Sequence, residues 1–145
     1  MSGIKELRIK HQNLKDNLES NVKSFCKLLG FEIFSFRDNE IDNIQMFYLN
    51  TFKEPQKFNL SITELRELFF AYCFEAFINS NGGDLILDDK KRSISYGKSI
   101  IVKYGGSDYP WVGISIDAWI KRLEEGRFKG KLSEAINRNL IKQNL

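Results

Sequence analysis

One apolar stretch, residues 61–79, constrains the fold more than any other part of the chain. Its apolar side chains recur at the three- and four-residue steps of an α-helix: Leu65, Leu68, Phe69, Tyr72, Cys73, Ala76 and Phe77. Phe70 and Phe74 lie outside this stripe, so the helix is apolar around most of its circumference, as helices in the middle of a domain are. Ser61 and Glu64 match a capping box, and the Asn-Gly-Gly run at 81–83 predicts the end of the helix. We therefore predict a central buried helix.

Length and composition predict a single domain over residues 1–145. A chain of 145 residues buries about two-thirds of its unfolded surface and needs no metal or disulfide to fold. Apolar residues make up 42% and aromatics 13%, which favours a packed core over disorder. Cys26 and Cys73 both lie in predicted helices among apolar neighbours, so we predict two buried, reduced thiols and a cytoplasmic location. No apolar run approaches the ~20 residues that span a bilayer, so no membrane contact is expected.

The segments around the central helix predict an α+β fold. A helix over 4–29, ended by Gly30, carries a narrow apolar stripe that either packs on the domain or pairs with a second copy as a homodimer. Extended segments are predicted at 31–37, 44–49, 84–88, 92–96, 99–104 and 111–116, and two further helices at 117–125 and 133–145. This order predicts an antiparallel sheet of about four to six strands packed on the central buried helix, with a long N-terminal helix and two C-terminal helices.

The sequence contains no pattern that defines a catalytic or cofactor site. Nucleophilic triads need a base, and the only histidine, His11, lies on a helix stripe, where a hydrogen bond to a neighbour explains it better. The Cys and His residues are too few and too far apart to predict a zinc site, and the glycines match no phosphate-binding loop motif. Asp84, Asp88 and Asp89 lack the EF-hand order and favour a solvated hairpin. We predict a non-enzymatic protein with no metal or cofactor; a hydrolase that uses only carboxylates stays an open alternative.

The segment 104–111 has the residue types of a protein interface. It places three large aromatics beside two glycines in a predicted loop, and tyrosine and tryptophan in loops often anchor protein contacts. The predicted partner-binding residues are Tyr104, Asp108, Tyr109 and Trp111. The alternative is that Tyr104 and Trp111 close one end of the core.

Charge is distributed unevenly along the chain. Residues 31–89 contain four basic and eleven acidic residues, whereas residues 90–145 contain twelve basic and five acidic ones. A basic segment with interleaved aromatics is typical of nucleic-acid binding. The predicted nucleic-acid contacts are Lys90, Lys91, Arg92, Lys98 and Lys103. The alternative is an ordinary solvated surface.

Two short runs allow a comparison with a known class of proteins. The run 79–83 after a helix and the run 115–126 near the end resemble features of the small α+β immunity proteins of bacterial toxin systems. The spacing between the runs is shorter than in that class, and the N-terminal helix is extra. The resemblance implies a binding protein that neutralises another protein, as immunity proteins and phage inhibitors do. A nucleic-acid-binding accessory protein is the alternative function.

Overall fold

The computed structural model describes residues 3–105 and 113–138. In these ranges the chain forms five α-helices, one short 3₁₀ helix and one two-stranded antiparallel sheet. The elements, in order, are α1 (Ile4–Leu29), α2 (Asp38–Thr51), the 3₁₀ helix (Pro55–Phe58), α3 (Ile62–Asn81), β1 (Asp84–Leu87), β2 (Ser99–Val102), α4 (Ile116–Glu124) and α5 (Leu132–Asn137). None of the described helices is long and apolar enough to cross a membrane.

The prediction of a central buried helix is confirmed in α3. Phe69, Ala71, Tyr72 and Phe77 are fully buried, and the other helices pack around them in one hydrophobic cluster. The capping box forms as predicted, because the Ser61 hydroxyl accepts from the Glu64 N–H at 3.1 Å while the Glu64 carboxylate accepts from the Ser61 N–H at 2.9 Å.

The N-terminal helix is also confirmed over its predicted length. Gly30 ends it in the left-handed conformation, with φ 80°, which glycine adopts without a steric penalty. The second half of its apolar stripe packs inside the chain: Leu18 and Phe25 are buried, as is the neighbouring Cys26. Leu7 and Leu14, in the first half of the stripe, are only half-buried, so a homodimer through this helix stays a prediction.

The predicted sheet of four to six strands is wrong, and the largest error lies before α3. Residues 44–49 belong to helix α2, where Ile41, Ile44 and Tyr48 are buried at helical spacing while Met46 is 54% exposed. The alternation of Ile44, Met46 and Tyr48 was a coincidence within a short window. The segment 31–37 is irregular, because the N–H groups of Ser35 and Phe36 bond the Glu40 carboxylate instead of a neighbouring strand.

After α3, two of the four predicted strands form within the described residues, as β1 and β2. β1 and β2 pair in antiparallel register, with Leu85 opposite Ile101. The predicted strand 92–96 is a series of turns, because the buried Asp88 carboxylate accepts from Ser93, Ser95 and the Lys90 N–H. We call residues 88–98 the hairpin turn.

The C-terminal predictions are confirmed in part. Of the predicted strand 111–116, Ile114 makes a single bridge to Ile101, and residues 111 and 112 lie outside the described ranges. Helix α4 forms close to the predicted range of 117–125, but it begins at Ile116 and its cap is Ser115, which accepts from the Ala118 N–H at 3.1 Å, and not Asp117, the cap expected from the sequence. Helix α5 occupies the start of the predicted final helix, whose residues from 139 onward are outside the described part.

Candidate functional site

The predicted aromatic loop is described only at its first two residues, Tyr104 and Gly105. Tyr104 is half-buried, and its ring lies edge-on to Phe77 at 5.4 Å between centroids. This contact supports the alternative that Tyr104 closes the core. Asp108, Tyr109 and Trp111 lie outside the described residues, so their role in partner binding stays a prediction.

The predicted basic contacts divide into two places. Lys90, Lys91, Arg92 and Lys98 are exposed and lie together on the hairpin turn. Lys103 follows the opposite end of β2, five residues or about 16 Å along the strand from Lys98. The structure thus brings four of the five predicted residues onto one surface and separates the fifth.

A groove that the sequence did not predict lies beside this surface. Helices α1 and α4 both pack on α3, and the groove runs between them with a volume of about 1070 Å³. Four elements line the groove. The lining residues include Leu7, Leu14 and Asn17 from α1, Thr63, Glu67 and Phe70 from α3, Ala118 and Lys121 from α4, and Ser95, Gly97 and Lys98 from the hairpin turn. We call it the α1–α4 groove.

The direction of the helices follows from their contacts. Phe25 meets Tyr72, whereas Glu19, earlier on α1, is close enough to Glu75, later on α3, to raise the pKa of that carboxyl, so α1 runs antiparallel to α3. Trp119 meets Phe77 while Glu124 meets Arg66, so α4 is antiparallel to α3 as well. The groove is therefore a channel parallel to all three helices, and the hairpin turn closes one end.

The hairpin turn is held against α1 by a close backbone approach. Gly97 has φ +81°, and a Cβ at this position would lie 3.3 Å from a methyl group of Leu7. Burial alone would raise the pKa of Asp88, but hydrogen bonds from Ser93 and Ser95 hold it below its usual value. Asp88 therefore stays ionised at neutral pH and fixes the turn that presents Ile94.

Two isoleucines on the groove are exposed. Ile94, on the hairpin turn, is fully exposed, and Ile9, on α1, is 54% exposed. Single exposed apolar residues are common on proteins, but these two share one groove with the buried ring of Phe70. Sequence reasoning placed Ile94 on a strand face and did not single out Ile9. Only the packing of distant segments reveals their common location.

Polar amides line the α1 wall. Asn13, Asn17 and Asn21 recur every four residues, so they form one stripe that faces the groove. Their side chains make no hydrogen bond within the described part of the chain. They leave donors and acceptors available along the groove.

A charged cluster supports the α4 wall. The Glu124 carboxylate accepts from Arg66 Nε at 2.9 Å and from Arg66 Nη2 at 2.7 Å, and it also accepts from the buried hydroxyl of Tyr48. The Arg66 guanidinium holds the pKa of Glu124 below its usual value despite partial burial. This bidentate arrangement fixes the end of α4 against α2 and α3.

Asp117 lies at the other end of α4, in the groove. Burial raises the pKa of this carboxyl, and the nearby charges of Lys98 and Lys10 partly oppose that rise. Asp117 is also in the first turn of α4, where the helix dipole favours a negative charge. The carboxylate thus partly offsets the lysines between α1 and the hairpin turn.

The contact of His11 is structural. Its Nδ1 lies 2.6 Å from the Ser99 hydroxyl, a distance that a nucleophile and its base require. Ser99 is buried on β2, however, and no carboxylate in the described ranges is hydrogen-bonded to the His11 ring. Burial lowers the pKa of His11, and the charge of Lys15 lowers it further. Within the described residues, no group of three His, Cys, Asp or Glu side chains is placed to hold a metal ion.

Comparisons with models of protein families, with curated proteins and with solved structures found no match to this chain.

Proposed function

We propose that this chain is a non-enzymatic binding protein that neutralises another protein, and that a segment of that partner occupies the α1–α4 groove. One observation supports the location: an open groove with an apolar floor at Phe70 and two exposed isoleucines, Ile9 and Ile94, on its border. Burying an isoleucine side chain contributes about 1.5–3 kcal/mol. A partner that covers both side chains therefore gains substantial affinity.

The dimensions of the groove favour a macromolecular partner over a small molecule. Its volume of about 1070 Å³ lies just above the ~300–1,000 Å³ range of small-molecule pockets. Neutralisation of the partner is supported only by the resemblance of 79–83 and 115–126 to immunity proteins. A cytoplasmic location is part of the proposal, and the free, buried Cys26 and Cys73 are compatible with a reducing compartment.

Nucleic-acid binding is the second candidate function. The observation in its favour is the exposed group Lys90, Lys91, Arg92 and Lys98 on the hairpin turn. The exposed apolar residues beside this group, Ile9 and Ile94, are aliphatic and offer no ring on which a base can stack. Protein binding therefore accounts for both the charged and the apolar parts of the surface, and nucleic-acid binding accounts for the charged part alone.

Replacement of Ile94 should separate binding from folding. The test captures partners from the native host with the tagged full chain, identifies them by mass spectrometry and measures Kd by calorimetry. Ile94→Asp should weaken binding of the captured protein about tenfold or more, because the buried methyl groups are replaced by a carboxylate. Its melting temperature should stay at the wild-type value, because Ile94 is fully exposed.

Ile33→Asp is the matched control, since Ile33 is 81% exposed beyond the far end of α1 and undergoes the same change of charge. Its Kd should stay within about twofold of the wild-type value. Equal weakening by both variants, or none by Ile94→Asp, would contradict the groove as the binding site. Capture that is lost on nuclease treatment and falls steeply with salt would favour the nucleic-acid function.

A further inference from the structure

We propose that Ser93 is a phosphorylation site and that its modification opens the hairpin turn, a regulatory role that goes beyond the proposed binding function. Three features of the described residues support this proposal: the cations that precede Ser93, the contact of its hydroxyl, and the small number of bonds that hold the turn closed.

Three consecutive cations precede Ser93 on the hairpin turn. Lys90, Lys91 and Arg92 are exposed, and none of the three forms a salt bridge within the described ranges. Serine kinases of the basophilic class bind such a run through carboxylates in their substrate cleft, because opposite charges attract and orient the substrate segment. Ser93 follows the run directly, so a kinase that binds these cations reaches its hydroxyl.

The Ser93 hydroxyl stabilises the turn through one buried carboxylate. It donates to Asp88 Oδ2 at 2.5 Å, the Ser95 hydroxyl donates to the same oxygen, and the Lys90 N–H donates to Asp88 Oδ1 at 3.1 Å. Asp88 is 5% exposed, so these donors take the place of water around its charge. The closed turn therefore depends on a serine hydroxyl that can donate.

Phosphorylation converts this donor into an anion. The Ser93 oxygen attacks the γ-phosphorus of ATP, an O–P bond forms as the bond to the bridging oxygen of ADP breaks, and the hydroxyl proton passes to a base of the kinase. The phosphoserine carries a charge of about −1.5 to −2 at neutral pH, and its dianion has no proton to donate to Asp88. It is repelled by the Asp88 carboxylate and attracted by the adjacent cations at 90–92.

Few contacts oppose the opening of the turn. Two backbone bonds close its base, from the Asp88 N–H to the Lys98 carbonyl at 2.9 Å and from the Gly97 N–H to the Asp88 carbonyl at 2.7 Å. Ile94 is fully exposed and contributes no burial. Because segments with little buried area open at a low cost in free energy, the loss of the Asp88 contacts should release this one. The same low cost gives a kinase access to Ser93.

Phosphorylation of the purified full chain tests the site. ATP and the catalytic subunit of cAMP-dependent protein kinase, a basophilic enzyme, should add phosphate to Ser93, which peptide mass spectrometry locates. Ser35 is the internal control, because it is exposed and donates to the Glu40 carboxylate at 3.0 Å but follows no run of cations. Ser93→Ala and Lys90→Ala/Lys91→Ala should each lower the incorporation about tenfold or more. Equal phosphate on Ser35, no incorporation, or incorporation unchanged by either variant would overturn the proposal.

Hydrogen exchange of the phosphorylated chain tests the opening. The amides of Asp88 and Gly97 should exchange about tenfold faster after phosphorylation, because their bonds close the turn. The amide of Tyr72 should keep its rate, since this residue is fully buried on α3. Unchanged exchange at Asp88 and Gly97, or equal acceleration at Tyr72, would contradict a switch in the hairpin turn.

The effect on the partner rests on the proposed function. Ser95, Gly97 and Lys98 line the α1–α4 groove, so opening the turn removes one end of it. The phosphorylated chain should bind the captured partner about tenfold more weakly than the unmodified chain. If the turn opens while this Kd is unchanged, control of binding is overturned and the phosphorylation site stands. If Ile94→Asp also leaves Kd unchanged, the groove itself is wrong.

Discussion

Phe77→Asp should prevent folding of the chain. Phe77 is fully buried on α3 and its ring contacts both Tyr104 and Trp119 edge-on. Loss of a buried phenylalanine costs about 3–5 kcal/mol, and an unpaired buried carboxylate adds several more. Because domains are stable by only about 5–15 kcal/mol, the sum exceeds or exhausts the stability of the fold. Circular dichroism should show no cooperative melting transition.

Phe31→Asp provides the control for this experiment. Phe31 is 41% exposed, so the same substitution should preserve a cooperative transition close to that of the wild type. A Phe77→Asp variant that melts cooperatively at the wild-type temperature would show that α3 is not the centre of the core.

Glu124→Ala should produce the second largest effect. The truncation leaves the buried hydroxyl of Tyr48 and the guanidinium of Arg66 without their acceptor. An unsatisfied buried group costs about 1–3 kcal/mol, which urea unfolding measures directly. Glu125→Ala is the matched control, because Glu125 is the exposed neighbour and forms an ion pair with Arg127 at 3.5 Å, and it should cost less than about 1 kcal/mol. Equal costs for the two variants would contradict the role assigned to Glu124.

The contribution of the Glu124 carboxylate to the free energy of unfolding should decrease at acidic pH. Its pKa is lower in the folded protein than its ordinary value of 4.5, because Arg66 donates to it. The stabilisation by the ionised Glu124 is fully present above the ordinary pKa of the carboxyl. It is lost as the pH falls through the lower pKa that this carboxyl has in the folded protein. The difference in unfolding free energy between wild type and Glu124→Gln should therefore be constant near neutral pH and shrink below about pH 4.5. A difference that grows on acidification would refute this coupling.

Local patterns predicted the helices whose apolar period extends over many residues. Helices α1 and α3 are 26 and 20 residues long, so strand periodicity cannot imitate them. Helix α2 was not predicted, because Ile44, Met46 and Tyr48 alone match the two-residue period of a strand. Ile41, which is buried three residues before Ile44, completes a helical spacing with Ile44 and Tyr48. The turn at 92–96 was missed because the sequence does not show that Asp88 is buried and collects hydrogen bonds from its own loop.

The groove lay beyond sequence reasoning for a different reason. Leu7 and Leu14 were assigned correctly to the apolar stripe of α1, but only tertiary packing leaves them beside an open channel. The opposite wall, at Ala118 and Lys121, is more than 100 residues away along the chain. The basic residues of the hairpin turn were predicted from composition, and the structure adds that one of them, Lys98, lines this groove.

Site-specific photocrosslinking tests the central claim, that a protein segment lies in the α1–α4 groove, most directly. Asn17→p-benzoylphenylalanine places the reactive group on the groove wall, and Asn43→p-benzoylphenylalanine places it on an exposed asparagine of α2 that does not line the groove. Irradiation in native host extract should give one protein adduct at position 17, resistant to nuclease and absent from position 43. An adduct that is equally strong at both positions, or a nuclease-sensitive or missing adduct at position 17, would contradict the claim.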